Sequence, residues 1–321
     1  MTGPNVVALG GGHGLAASLQ ALRQLTDNLT AVVTVADDGG SSGRLRHELD
    51  ALPPGDLRMA LAALAGDGEW GRTWEALLQH RFRSDGPLDG HAVGNLLLVG
   101  LAEITGDYVK ALDLTATLLG LRGRVLPMTT ERIEIVAEVA GLDAGDLQRI
   151  THVRGQVEVA TTPGRVCAVC LDPADPPATP EAVAAIDRAD WVVLGPGSLF
   201  TSMVPHLLVP GLREAIARTS AKRVLVLNLV PQTGETSGFT PAAHLNAVAA
   251  HVPDLPFDCV LADSATLDQD ALVEAAKDLG AEVRFAPVAA DGHAARHEPQ
   301  RLARAYADLM TTTEGSDPGW R

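Results

Sequence analysis

Asn5-Val6-Val7-Ala8-Leu9-Gly10-Gly11-Gly12-His13-Gly14 begins as an apolar run and breaks into glycines. Leu15, Leu19, Leu22 and Leu25 follow at helical spacing, and Leu29–Ala36 is a second apolar run. The pattern predicts strand, glycine loop, helix, strand: the opening unit of a parallel sheet. Glycines at a strand-to-helix junction let backbone N–H groups approach an anion, and the helix start adds a favourable dipole. The spacing is neither common nucleotide signature. With Gly10 and Gly12 as the first two glycines of the dinucleotide pattern, the third falls on Leu15, and no Gly-Lys-Ser/Thr follows. The loop therefore supports phosphate binding by Gly11, Gly12, His13 and Gly14 without choosing NAD or ATP.

The rest of the chain agrees with an α/β protein. It has 321 residues, 46% hydrophobic and only 3% aromatic, so the core must be aliphatic. The scarcity of stacking side chains and a net charge of −15 argue against nucleic acid as a partner. The first apolar run is cut short by glycines and Asn95–Ile104 is too short to span a bilayer, so a cytoplasmic protein without membrane insertion is expected. Residues 44–120 read as mostly helical, with a buried helix over Ala92–Leu101. Residues 121–175 read as a small antiparallel insert, with strands at Glu131–Val139, Gln156–Thr161 and Val166–Leu171. The βα rhythm returns with strands at Trp191–Leu194, Arg223–Leu229, Cys259–Ala262 and Glu282–Ala286. Helices are expected near 209–218, 240–250, 269–279 and 296–310, and a polar tail from Thr311. Cys167 and Cys170 lie on a strand with no second Cys or His pair nearby, and read as small buried hydrophobes.

Further polar segments follow predicted strands. Asp37-Asp38-Gly39-Gly40-Ser41-Ser42-Gly43-Arg44 comes after the second: an acid there can hold a ribose hydroxyl, or the pair a divalent cation. Ser41, Ser42, Gly43 and Arg44 add donors and a counter-charge. Asp56, in Pro53-Pro54-Gly55-Asp56, reads as an N-cap or as a metal or sugar ligand. His91 and Asn95 open the apolar helix and suit capping or an anion. Gly195, Gly197 and Ser198 form a second glycine-rich strand-to-helix junction. Asn228, Gln232, Glu235 and Thr236 follow another strand. In an open α/β sheet such segments converge on one cleft at the carboxyl ends of the strands. Gly39, Ser41 and Gly43 also match a nucleophile elbow, for which Asp263 and His293 occur in the required order.

These residues resemble a known family. Gly-Gly-Gly-His-Gly-Leu (10–15), Val-Ala-Asp-Asp-Gly-Gly-Ser-Ser-Gly-Arg-Leu-Arg (35–46) and Pro-Pro-Gly-Asp (53–56) look like the bacterial gluconeogenesis factors. So do Gly-His-Ala-Val-Gly-Asn-Leu (90–96), Gly-Pro-Gly-Ser-Leu-Phe-Thr-Ser (195–202) and Gln-Thr-Gly-Glu-Thr (232–236). That family is similar to the 2-phospho-L-lactate transferases. The resemblance implies a Rossmann-like three-layer α/β/α fold with a mainly parallel sheet. It implies binding of a nucleotide sugar such as UDP-N-acetylglucosamine, or another diphosphate nucleotide, and a role in cell shape and envelope precursor supply during gluconeogenic growth. It brings no settled catalytic activity. In the transferases, acids at the positions of Asp38 and Asp56 are associated with metal and substrate, so the alternative is a Mg-dependent phospho-transferase with Asp38 and Asp56 on the metal. The reading leaves room for homo-oligomerisation and a regulatory protein partner.

Overall fold

The computed structural model describes residues 3–312. Its main sheet begins with β1 (Val6–Gly10), β2 (Leu29–Val33) and β3 (Arg124–Pro127). A separate antiparallel sheet follows, of β4 (Glu134–Ala140), β5 (Ile150–Arg154) and β6 (Arg165–Asp172). The main sheet then resumes with β7 (Trp191–Leu194), β8 (Lys222–Val226), β9 (Cys259–Asp263) and β10 (Glu282–Ala286). Its spatial order is β10-β9-β8-β7-β1-β2-β3, parallel throughout. The chain starts in the middle, winds out to β3, returns beside β1 as β7 and winds out the other way. The strand order therefore reverses between β1 and β7, and the loops after those two strands flank a crevice at the switch point. A short hairpin, β11 (Ala289–Ala290) and β12 (His293–His297), completes the strands.

Six helices lie between β1 and β3: α1 (Gly12–Leu22), α2 (Gly40–Leu49), α3 (Gly55–Ala63), α4 (Glu69–Gln79), α5 (Val93–Thr105) and α6 (Tyr108–Leu119). The insert carries α7 (Gln156–Thr161). Then come α8 (Pro180–Asp187), a π-helical turn at Leu199–Met203, α9 (Val204–Leu208), α10 (Pro210–Arg218), α11 (Pro241–His251), α12 (Gln269–Lys277) and α13 (Pro299–Thr312). All five residues of β1 are buried, as an interior strand of a sheet covered on both faces should be. Leu15, Leu19 and Leu22 of α1 face that core. The same buried face of α1 also meets α13, where the buried Ser18 and Tyr306 hydroxyls lie 2.7 Å apart.

The α/β class and the parallel sheet agree with the sequence reading; four local expectations do not. Gln156–Thr161 is a helix, not a strand, because the carboxylate of Asp38 holds its first turn from outside. Arg124–Pro127 pairs with β2 as the edge of the main sheet, so the antiparallel sheet starts only at Glu134. The helix at 93–105 buries one face only, through Leu98, Val99 and Ala102, and leaves Ile104 exposed. Cys167 is partly exposed and Cys170 exposed, because β6 is an edge strand of a small sheet. Thr311 continues α13, and the tail beyond residue 312 lies outside the described residues. No helix among the described residues is long and apolar enough to cross a membrane.

Candidate functional site

The loops after β1 and β7 touch. A Cβ on Gly14 would overlap the carbonyl oxygen of Pro196, so only glycine lets α1 start this close to the second loop. Gly11 stands over Asp56 and Thr34: a Cβ there would overlap Asp56 Oδ2 and lie 2.6 Å from Thr34 Cγ2. A Cβ on Gly55 would overlap Ser42 Oγ and lie 2.8 Å from Asp37 Oδ2. The starts of α1, α2 and α3 thus meet around Asp37 and Asp56. Their N-cap residues, Gly11, Gly39 and Pro54, offer no side-chain hydrogen bond. The N-termini of three helices whose own N-cap residues supply no side-chain bond gather positive dipole ends at one corner, into which two carboxylates project.

Asp56 is the second residue of α3, not its cap. It accepts a hydrogen bond from the Gly12 N–H. Burial, and then the charge of Asp37, push its carboxyl up to about 7 against these favourable terms. Asp37 holds the Gly39 N–H at 3.0 Å through Oδ1. Thr34 Oγ1 is buried without a hydrogen-bond partner beside this pair. A raised carboxyl and an orphaned hydroxyl in an electropositive corner are a donor set short of a partner. Two carboxylates plus ligand phosphates are how magnesium is commonly held, so the residues fit that ion.

Asp38 does something else. Its two oxygens accept the backbone N–H groups of Gln156 and Val157, at 3.0 and 2.9 Å. Gly155 has φ of 96° and packs so tightly on Asp38 that a Cβ would overlap the carboxylate. The acid next to Asp56 is Asp37, and Asp38 fastens the insert to the site. Helix α7 also touches the other side of the cleft, where Gly234 packs against the Ala160 carbonyl.

Ser41, His91 and Asn95 form one buried network. Ser41 Oγ lies 3.0 Å from His91 Nδ1, accepts the Asn95 side-chain amide at 3.0 Å, and faces the Ala92 N–H at 3.4 Å. Asn95 Oδ1 accepts from Arg58 Nε at 2.8 Å. Burial, then Arg44, lower the His91 pKa; the Ser41 hydroxyl, already accepting from Asn95, has its own proton to offer His91 Nδ1. Arg58 is itself buried and held down to about 10 by burial and then by Arg81, with Asp56 and Asp37 opposing. Sequence reasoning passed over Arg58; an arginine two positions after Asp56 on an apolar helix was the available signal. Arg44 donates to the Pro87 and Asp89 carbonyls at 3.1 and 2.6 Å, bracing the 84–90 loop.

The nucleophile-elbow reading fails on position. Asp263 ends β9, four strands from β2, or about 19 Å at normal strand spacing. Its carboxylate is engaged by the Ala265, Val288 and Ala289 N–H groups, at 2.8, 2.8 and 2.9 Å.

On the β7 side the residues serve one another. Asn228 takes the Gly197 N–H at 3.0 Å and returns a bond to its carbonyl at 2.7 Å. Gln232 donates to Ser198 Oγ at 2.9 Å, and Thr236 Oγ1 accepts the Gln232 N–H at 2.8 Å. Glu235, 2% exposed, accepts the Phe200 and Thr201 N–H groups at the start of the π turn. Burial raises its carboxyl although these bonds oppose the rise. Gly195, Gly197 and Ser198 therefore form a stiff wall whose donors are largely satisfied. His13 is exposed at the α1 start, and among the described residues no acceptor takes the His13 and Gly14 N–H groups.

Fold and site together define a doubly wound α/β protein with an acid-bearing, glycine-lined cleft at its switch point. The chain belongs to the CofD family, described as 2-phospho-L-lactate transferase CofD, whose model matches residues 6–307. Among curated relatives it is 55% identical to a Mycobacterium tuberculosis protein named "Putative gluconeogenesis factor", covering 97% of this chain and 92% of that one. It is 43% identical to the gluconeogenesis factor of Halalkalibacterium halodurans over 77% of this chain and 73% of the relative. A crystal structure of a UPF0052 family protein from Bacillus halodurans superposes with a TM-score of 0.83 at 36% identity, covering 96% of this chain and 99% of that one.

Proposed function

We propose that the cleft binds a diphosphate nucleotide, in particular a nucleotide sugar of the UDP-N-acetylglucosamine kind, together with a magnesium ion. The carrying observation is the meeting of three helix N-termini without side-chain caps around Asp37 and Asp56. The phosphates lie on the His13 and Gly14 N–H groups, with the 195–198 loop as the facing wall. Asp37 and Asp56, rather than Asp38 and Asp56, would hold the ion, whose positive charge would offset the two acids and the ligand's phosphates. A cytoplasmic ligand-binding regulator of envelope precursor supply and cell shape during gluconeogenic growth is the role in which we place it; the names of its relatives support the gluconeogenic part.

Calorimetry with UDP-N-acetylglucosamine, with and without magnesium, tests this. Binding that depends on magnesium and is lost in Asp56→Asn supports the reading; no heat at millimolar ligand sinks it. The match to the transferase family model, and the pairing of two acids at the site, favour a second reading: Mg-dependent transfer of a phosphate-linked group from a nucleotide diphosphate donor. Turnover of such a donor, abolished by Asp56→Asn, separates transferase from regulator.

A further inference from the structure

At the carboxyl end of β8, next to the wall of the 195–198 loop, the chain forms a half-open niche of about 30 Å³. That is room for one water-sized group. Leu229, Pro231, Phe239 and Pro241 give it an apolar lining, with Asn228, Thr236, Thr240 and His244 as its polar members. His244 is 6% exposed, and its Nε2 is buried without a hydrogen-bond partner. An imidazole nitrogen left so is costly unless a ligand or water completes it. The niche adjoins the phosphate wall through shared residues: Asn228 lines it and grips Gly197, and Thr236 lines it and fixes Gln232, which holds Ser198.

The two flanks of the switch point differ in chemistry. The β2 flank presents Asp37, Asp56 and the Ser41–His91–Asn95–Arg58 network, a setting for hydroxyls, phosphate and a cation. The β8 flank presents prolines, leucine and a phenylalanine around one unpartnered imidazole, a setting for an aromatic heterocycle with a polar edge. We infer that this niche receives the edge of the nucleobase, a ring carbonyl or N–H group meeting His244 Nε2 while the ring lies in the mouth against Pro231 and Phe239. His244 is a specificity residue that reads the base without touching the phosphates. Burial holds its pKa down to about 4, so it does this as a neutral ring at every pH near 7. The inference rests on the nucleotide reading above and adds the subsite and the residue.

The test compares UDP, inorganic pyrophosphate and uridine by calorimetry on the full chain, with wild type, His244→Phe and His244→Gln. Wild type should bind UDP roughly tenfold or more tighter than pyrophosphate, the worth of one well-made buried hydrogen bond. His244→Phe should bring UDP to the pyrophosphate level and leave pyrophosphate unchanged, and His244→Gln should recover part of the difference. Because a buried substitution can unfold the chain, the wild-type protein with ¹⁵N-labelled histidine gives a second readout: the His244 ring nitrogens should shift with UDP and with uridine, and not with pyrophosphate. Uridine carries the base without phosphate, so a uridine shift upholds the niche even where the phosphate reading fails. Equal UDP affinity in a folded His244→Phe overturns the inference. So does a ring unmoved by saturating UDP and uridine, which would mean that the niche holds water only.

Discussion

Asp37, in the loop before α2, and Asp56, in the first turn of α3, face the same corner, and the charge of Asp37 is second only to burial in pushing the Asp56 carboxyl up to about 7. Two carboxylates held together in a folded chain are a standing cost unless something compensates them. Here three helix N-termini and the Gly12 N–H compensate in part.

The pH dependence of stability should show this pair. The folded pKa of Asp56 lies above its unfolded value of 3.8, so the folded chain holds the extra proton between about 4 and 7. The stability from that proton is full below pH 4 and is lost as pH rises through 7. Asp56→Asn should therefore be more stable than the ligand-free wild type at pH 8, by about 2 kcal/mol, with a flatter profile from pH 4 to 8. Denaturant titrations across that range would measure it. A variant less stable than wild type at pH 8 contradicts the account.

Asp37 and Asp38 are adjacent and do different work. Asp38→Ala removes two hydrogen bonds to the first turn of α7 and should cost about 2–3 kcal/mol, with faster amide exchange at Gln156 and Val157. Asp37→Asn should leave those amides protected and instead abolish the thermal stabilisation that magnesium gives. If Asp38→Asn loses the magnesium effect and Asp37→Asn keeps it, the assignment of the pair is wrong.

Gly14→Ala places a methyl group on the Pro196 carbonyl, where backbone cannot yield cheaply. A loss of about 1–3 kcal/mol, and at least tenfold weaker ligand binding, is expected as the two switch-point loops part. Parallel melting and calorimetry would check both.

Glu235→Ala strips the acceptor from the Phe200 and Thr201 N–H groups inside a buried turn. About 2–4 kcal/mol of stability should go with it, while Glu235→Gln, which keeps one acceptor, should lose less than half as much. Equal losses in the two variants would show that the charge, not the acceptor, matters.

The sheet was legible because β1, β2 and β7–β9 are largely aliphatic runs of strand length, with β1 and β7 running straight into glycines and β9 ending on an acid. The meeting of the 10–14 and 195–198 loops also follows from strand order, since a chain that reverses beside its first strand must bring those loops together. What the chain did not disclose was tertiary. Gln156–Thr161 alternates like a strand and is a helix because Asp38, 118 positions earlier, satisfies its first amides. Nothing local separates Asp37 from Asp38; only their neighbours Gly55 and Gly155 do. Arg58 and His244 looked like ordinary helix residues, and become notable only once their surroundings bury them.

The central claim is that the corner shared by α1, α2 and α3 holds a phosphate-bearing nucleotide through a cation on Asp37 and Asp56. Calorimetric titration of wild type, Asp37→Asn and Asp56→Asn with UDP-N-acetylglucosamine at pH 8, in magnesium and in chelator, tests it most directly. The account predicts binding by wild type in magnesium, at least tenfold weaker binding in chelator, and no magnesium dependence in either variant. Binding of equal strength in all three proteins, with or without magnesium, would contradict it.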